Sequence, residues 1–245
     1  MLQKRLVELS RLAYNRGIVV FSDFLNLNEL NILHTTPKDM FLSQYKTYGG
    51  YDLSERQMAV FLPDALYYEY EYPIQTIEVS PLNKKFSEDL THRDYLGALM
   101  NLGIERSTIG DILPGEGEAF LFCQDTIAEF ICDNLEQIRH THVKCEVVDA
   151  AAEVPQEEPV RQVIQVASPR VDAVISKVYN KSRSDCLELF RAGKVYVNGR
   201  LCENNSKPLE AGDVVNARGY GKFCISGEPH TTRKGKLAIE AEVYP

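Results

Sequence analysis

Apolar residues recur at helical spacing from the first residues of the chain: Leu2, Leu6, Leu9 and Ala13 predict an opening helix. The stretch "SDFLNLNELNILHTTP" predicts a second helix over 22–36, with Ser22 or Asp23 as N-cap and a stop before Pro37. "YGGYDLSERQMAVFLPD" then predicts a glycine turn, a helical turn and a short apolar strand that Pro63 and Asp64 end.

Beyond residue 72 the pattern changes. "IQTIEVSP" alternates like a strand. "LTHRDYLGALMNLG" puts Leu90, Tyr95, Leu99 and Leu102 on a helical face, with Gly103 as C-cap. "STIGDILPGEGEAFLFCQ" predicts two strands around a glycine-rich turn, "DTIAEFICDNLEQI" an amphipathic helix capped by Asp125, and "HVKCEVV" a last strand. The order β-α-β-β-α-β is that of the ferredoxin-like split unit, which many RNA-binding modules share. Phe120 and Phe122 of "FLFCQ" either line an RNA-stacking face or pack inward.

"DAAAEVPQEEPV", Asp149 to Val160, has two prolines and little to bury, and is expected to be a linker or an exposed strand-to-strand connection. After it, Val171, Val174, Ile175 and Val178 stripe a short helix, with Arg170 and Lys177 off the stripe. A second helix follows, capped by Ser182 or Ser184, with Cys186, Leu187 and Phe190 toward a core and Gly193 at its end. Asn198-Gly199 predicts a type I′ hairpin turn, because both central residues need positive φ. Gly212-Asp213 predicts another turn before a further strand.

Charge alters this picture more than composition does. The chain of 245 residues is 44% hydrophobic and carries a formal net charge of −8. From Arg161 onward there are 14 Lys and Arg against 9 Asp and Glu, net +5, which leaves 13 against 26, net −13, for the rest. Such asymmetry predicts that one domain meets a polyanion and another does not. No apolar run approaches the roughly 20 residues that span a bilayer, and the first residues do not read as a signal peptide. An intracellular, cytoplasmic protein without a membrane partner is expected. None of the six cysteines forms a CxxC pair, so reduced, half-buried thiols are expected. "HTHVKC" offers His140, His142 and Cys145 as a metal-site alternative, without further ligands in sequence.

The candidate chemistry lies in the basic segment. Arg183 falls in the first turn of the second helix, Lys194 at a strand start and Arg200 just past the turn, while Arg218 and Lys222 flank "GYG". Two short helices on a small sheet would gather these cations on one surface that attracts RNA phosphates. Gly219 and Gly221 would let a backbone approach closely, and Tyr220 between them would stack on a base or sugar.

R-x-D, S-R-S, K-V-x-V-N-G, G-D and R-G-x-G-K-F, in that order, resemble the alpha-L RNA-binding module first seen in small-subunit ribosomal protein four. The resemblance covers about 60 residues and implies RNA contacts at Arg170, Ser182, Arg183, Lys194, Asn198, Arg200 and Arg218, beside Lys177, Tyr220 and Lys222. Asp185 and Glu188 depart from a fully basic module. "YGGYDLSERQMAVFLPD", "HRDYLGALMNLGIERSTIGDI" and "RGYGKF" together resemble the YlmH-type proteins of Gram-positive bacteria over nearly the whole chain. That resemblance implies binding to rRNA of the large ribosomal subunit obstructed by peptidyl-tRNA, in ribosome-associated quality control; a monomer is expected, with quality-control factors as further partners.

The fold class expected is α+β: an N-terminal α/β unit over 1–72, a ferredoxin-like unit over 73–149, a linker or exposed strand over 150–167, and the alpha-L domain over 168–245. No catalytic activity, cofactor or metal is expected. The rival is an RNA-modifying enzyme of the pseudouridine-synthase type. His92-Arg93-Asp94 superficially resembles that family's aspartate loop, but it precedes the RNA module and reads as a helix start. "LPGEGEAF" lacks the Lys and Ser/Thr of a phosphate loop, and Glu116 and Glu118 would repel phosphate.

Overall fold

A computed structural model describes residues 1–52, 54–83, 87–115, 117–149, 159–232 and 235–244. The chain divides into two compact units, 1–155 and 156–245. Most of the expected linker, residues 150–158, lies outside the described residues.

The first unit opens with α1 (Leu2–Arg16), which buries Leu6, Leu9 and Ala13 and ends at Gly17 with φ 63°. The expected helix over 22–36 starts late. Residues Val20–Leu25 form β1, and α2 spans Leu27–Thr35. Asn26 is the cap: its side chain accepts from the N–H groups of Asn28 at 2.9 Å and Glu29 at 3.1 Å, and Glu29 accepts from the Asn26 N–H at 2.8 Å. That reciprocal box fixes the helix start at Leu27. Ser22 serves the sheet instead, its hydroxyl accepting from the Ala59 N–H at 2.9 Å. The strands β2 (Gln44–Tyr48) and β3 (Gln57–Leu62) complete an antiparallel sheet in the order β1-β3-β2. The half-exposed "QYKTY" of β2 carries too few apolar residues to read as a strand, and pairing with β3 makes it one.

The second sheet of this unit has the expected ferredoxin-like order. It comprises β4 (Ile74–Pro81), α3 (His92–Asn101), β5 (Ile109–Pro114), β6 (Ala119–Gln124), α4 (Asp125–Asn134), the short β7 (Gln137–Ile138) and β8 (Thr141–Val148). The strands align antiparallel as β5-β6-β4-β8-β7. Gln124, not Asp125, is the N-cap of α4. Ile77, Leu121 and Cys123 of the sheet pack against Tyr95, Leu99, Ala128 and Ile131 of the helices.

A buried polar clasp joins the two sheets. Arg56 is 9% exposed and donates to three carbonyls: Phe24 at 3.2 Å, Ile109 at 2.8 Å and Arg106 at 3.0 Å. Asp111 accepts from the Tyr51 hydroxyl at 2.8 Å and from the N–H groups of Glu55 at 2.7 Å and Arg56 at 3.0 Å. Those two amides would be internal donors in the expected helical turn; held by Asp111, they lie instead in bends before β3. A side chain at Gly50 would lie 2.4 Å from Phe122, and one at Gly110 2.8 Å from Phe24, so both contacts need glycine.

In the second unit, β9 (Val160–Val166) pairs in full register with β15 (Leu237–Tyr244), from Val160 opposite Val243 to Val166 opposite Leu237. Part of the expected connection is therefore a sheet strand. Helices α5 (Val171–Val178) and α6 (Arg183–Arg191) cover one face of a seven-stranded sheet. Its path runs β11 (Arg200–Leu201), β10 (Val195–Val197), β12 (Val214–Ala217), β13 (Gly221–Ile225), β15, β14 (His230–Thr231), with β9 on β15. The core takes Val171, Val174, Ile175 and Val178 as expected, then Cys186, Leu189 and Phe190. Leu189, rather than the expected Leu187, completes the α6 stripe, one helical turn from Cys186.

Candidate nucleic-acid interface

The Asn198-Gly199 turn has φ values of 51° and 72°, the double positive that a type I′ turn requires. It places Arg200 opposite Val197, exposed at the sheet edge. Lys194 lies at the other end of β10, about 10 Å away along the strand. There the Arg218 N–H donates to the Lys194 carbonyl at 2.9 Å, so the two cationic residues are neighbours across strands. The Arg218 guanidinium carbon stands 5.1 Å from the ring centre of Tyr196. Along the same row of the sheet, Tyr196 opposes Asn216 and Asn216 opposes Lys222, whose ammonium lies 6.0 Å from the Tyr244 ring.

The "GYG" turn has Gly219 at φ 90° and Gly221 at φ 107°, conformations that side-chain-bearing residues rarely adopt. Tyr220 between them is 38% exposed and lies 5.8 Å from the Tyr179 ring. The Lys181 ammonium sits 5.1 Å from the Tyr220 ring centre. Lys181 was not among the sequence candidates, although it adjoins the S-R-S run; only the tertiary fold brings the loop between α5 and α6 to the "GYG" turn. The Tyr179 hydroxyl is buried with no hydrogen-bond partner among the described residues, and burial raises its pKa, so it stays protonated.

The remaining candidates divide by what already holds them. Arg170 is engaged: its guanidinium donates to both Asp172 oxygens at 3.1 and 2.8 Å, and Asn205 donates to the same carboxylate at 3.1 Å. Asn198 gives its amide N–H to Asp213 at 2.7 Å and accepts from the Val214 N–H at 2.9 Å. Ser182 caps α6 by accepting from the Asp185 N–H at 3.1 Å, and the Asp185 carboxylate accepts in return from the Ser182 N–H. Asp185 thus stabilises the helix start, and Glu188 pairs with Arg191. By contrast, no ion pair among the described residues engages Lys177, Arg183, Lys194 or Arg200, and all four are exposed.

The rival chemistries fare differently. Asp94 is the third residue of α3 and accepts from the Thr91 N–H at 2.9 Å and the Thr91 hydroxyl at 2.7 Å. These bonds hold its carboxyl below the usual range, and they give it the capping role of a helix start. The turn of "LPGEGEAF" closes through the Gly115 N–H and the Glu118 carbonyl at 2.7 Å, while Glu116 lies outside the described residues. His142 and Cys145 occupy opposite faces of β8, so they do not converge on a metal. All six cysteines are free, and burial pushes Cys123 and Cys145 up to about 12, which removes thiolate character at neutral pH. Phe122 does not present an RNA-stacking face: it is fully buried, stacked on Tyr51 with ring centres 4.9 Å apart.

Two family profiles match the chain, "Putative RNA-binding domain in YlmH" over 68–152 and "S4 domain" over 169–215. A relative from Bacillus subtilis (strain 168), "Ribosome-associated protein quality control protein P2", is 30% identical over 240 residues, covering 96% of this chain and 91% of its own. The chain belongs to the YlmH-type family. A solved structure, "Cell division protein ylmH from Streptococcus pneumoniae", aligns with a TM-score of 0.52 at 24% identity, over 63% of this chain and 93% of that one. At that identity the likeness concerns the fold. The S4 match includes both helices and the Asn198-Gly199 hairpin, and the other profile spans the whole ferredoxin-like sheet. Among the described residues no helix is long and apolar enough to cross a membrane.

Proposed function

We propose that this protein is a cytoplasmic, non-catalytic, monomeric rRNA-binding factor. It docks on the large ribosomal subunit that carries peptidyl-tRNA and acts with quality-control factors when translation stalls. The observation that carries this reading is the set of exposed cations without ion pairs, Lys177, Arg183, Lys194 and Arg200, on a module of S4 type. Unpaired guanidinium and ammonium groups keep their full attraction for phosphate, and binding releases the counterions condensed on RNA. Lys181 and Tyr220 add a cation held over a partly exposed ring. The name of the Bacillus relative, a ribosome-associated quality control protein, supports the ribosomal setting.

Co-sedimentation with purified large subunits tests the proposal. Arg183→Glu combined with Arg200→Glu is expected to abolish association while the circular dichroism spectrum stays unchanged. Normal co-sedimentation of the folded double variant would remove these residues from the interface. Loss of a single rRNA modification in cells lacking the protein would favour an RNA-modifying enzyme instead.

A further inference from the structure

The segment matched as an RNA-binding domain lacks the open sheet face by which a ferredoxin-like module commonly meets RNA. Phe122 on that face is sealed by Tyr51, and beside it Glu78 of β4 pairs in register with Glu146 of β8, placing two carboxylates where a phosphate would approach. The segment's described cations narrow the choice. Arg106 donates to the Ile109 and Gly110 carbonyls at 2.9 and 3.1 Å. Lys144 pairs with Glu146. Arg93 has no ion pair among the described residues, Arg139 has only a 3.6 Å contact with Asp94, and both line one groove of about 690 Å³ between α3 and the turn after α4.

That groove has a floor that packing does not explain. Gly97 sits inside α3, where glycine is an unfavourable helix residue, yet a side chain added there would meet nothing within 4 Å. One turn to either side stand Arg93 and Asn101, so the three form a single stripe along the groove. Across from them, Asn134 and Gln137 each give an amide N–H to a backbone carbonyl, of Phe130 and of Arg139, both at 2.8 Å. Their amide oxygens accept no hydrogen bond among the described residues. Asp94 and Glu136 also line the groove, so it is not a plain anion trough: Asp94 is engaged by Thr91 and, at 3.6 Å, by Arg139. Mixed donors and acceptors over a bare helix backbone suit a polar planar ligand with an attached anion.

We infer that this groove binds an unpaired nucleotide of single-stranded RNA, its base edge on the amides and its phosphate on Arg93 and Arg139. The inference rests on the proposal that the protein binds RNA, and it locates a second contact outside the S4-type module.

The test uses the full chain and a short single-stranded RNA carrying 4-thiouridine, with cross-linked peptides mapped by mass spectrometry. Cross-links are expected within 93–101 and 134–139 as well as in the second unit. Gly97→Leu fills the groove at a site with open space; its thermal unfolding temperature is expected to hold or rise, while the first set of cross-links falls about tenfold, on the scale of one lost base contact. Cross-links to the second unit are expected to persist. Unchanged cross-links within 93–101 and 134–139 in Gly97→Leu would overturn the groove assignment, as would their absence from the wild type when the second unit still cross-links. No cross-link anywhere would overturn the RNA-binding reading and the groove with it.

Discussion

The arginines of the two units look alike in sequence and serve opposite ends. In the first unit, Arg56 and Arg106 point inward and give their N–H groups to backbone carbonyls. Burial lowers the pKa of both, that of Arg106 to about 10, with Arg56 itself adding to the shift at Arg106. In the second unit, Arg183 and Arg200 stand exposed with no ion pair among the described residues. The difference teaches that a cation marks a binding surface only when its donors are unsatisfied within the fold. A buried guanidinium with its carbonyl partners is an internal joint, and removing it takes a donor from three carbonyls at once, leaving that of Ile109 to Arg106.

The strongest way to break the comparison is therefore Arg56→Met. Chemical denaturation of the first unit is expected to show a loss of about 3–5 kcal/mol, since buried carbonyls lose charged donors. The stability of the second unit should be unmoved. A loss below about 1 kcal/mol would mean that the clasp is not what joins the two sheets.

A smaller effect separates engaged from unengaged cations within the second unit. Lys194→Gln should make the log–log salt dependence of RNA binding shallower by about 0.7–0.9, the contribution of one neutralised phosphate. Arg170→Gln should change that slope less, because Asp172 already holds the guanidinium. Equal slope changes for the two variants would erase the distinction.

The smallest effect concerns Asp94. Its carboxyl is held below the usual carboxylate range by the Thr91 hydroxyl and N–H, with Arg139 pulling it further down. A depressed folded-state pKa stabilises the protein above the unfolded value, and that contribution is lost as pH falls through the folded pKa. Asp94→Asn should accordingly lower the unfolding temperature slightly near neutrality and leave it unchanged at the most acidic pH that keeps the fold. A variant that changes rRNA modification instead would return Asp94 to the catalytic candidates.

How far the sequence carried depended on whether the deciding forces were local. The ferredoxin-like order, the α5 stripe of Val171, Val174, Ile175 and Val178, and the Asn198-Gly199 turn were legible because periodicity and positive φ act within a few residues. The start of α2 was not, because Ser22 and Asn26 are both acceptable caps and the sheet's need for a Ser22 hydroxyl decided between them. The edge strand β2 and the pairing of β9 with β15 escaped notice for the same reason: their registers are set by partners far along the chain. At the candidate interface, residue types and order named the cations, but nothing in the order told Arg170, held by Asp172, from Arg183, held by nothing acidic.

By itself, then, the amino-acid sequence determined the α+β class, the ferredoxin-like order, the basic S4-type module and its hairpin. The class, the order and the hairpin follow from spacing and turn chemistry, and the module from the resemblance of its ordered motifs, none of which needs a partner distant in the chain. Only the tertiary structure decided that Arg56 is a joint, that Phe122 is sealed beneath Tyr51, that Lys181 meets Tyr220 and that Arg93 shares a groove with Arg139. Hydrogen-bond satisfaction and burial are properties of residues brought together from afar, so no local pattern encodes them.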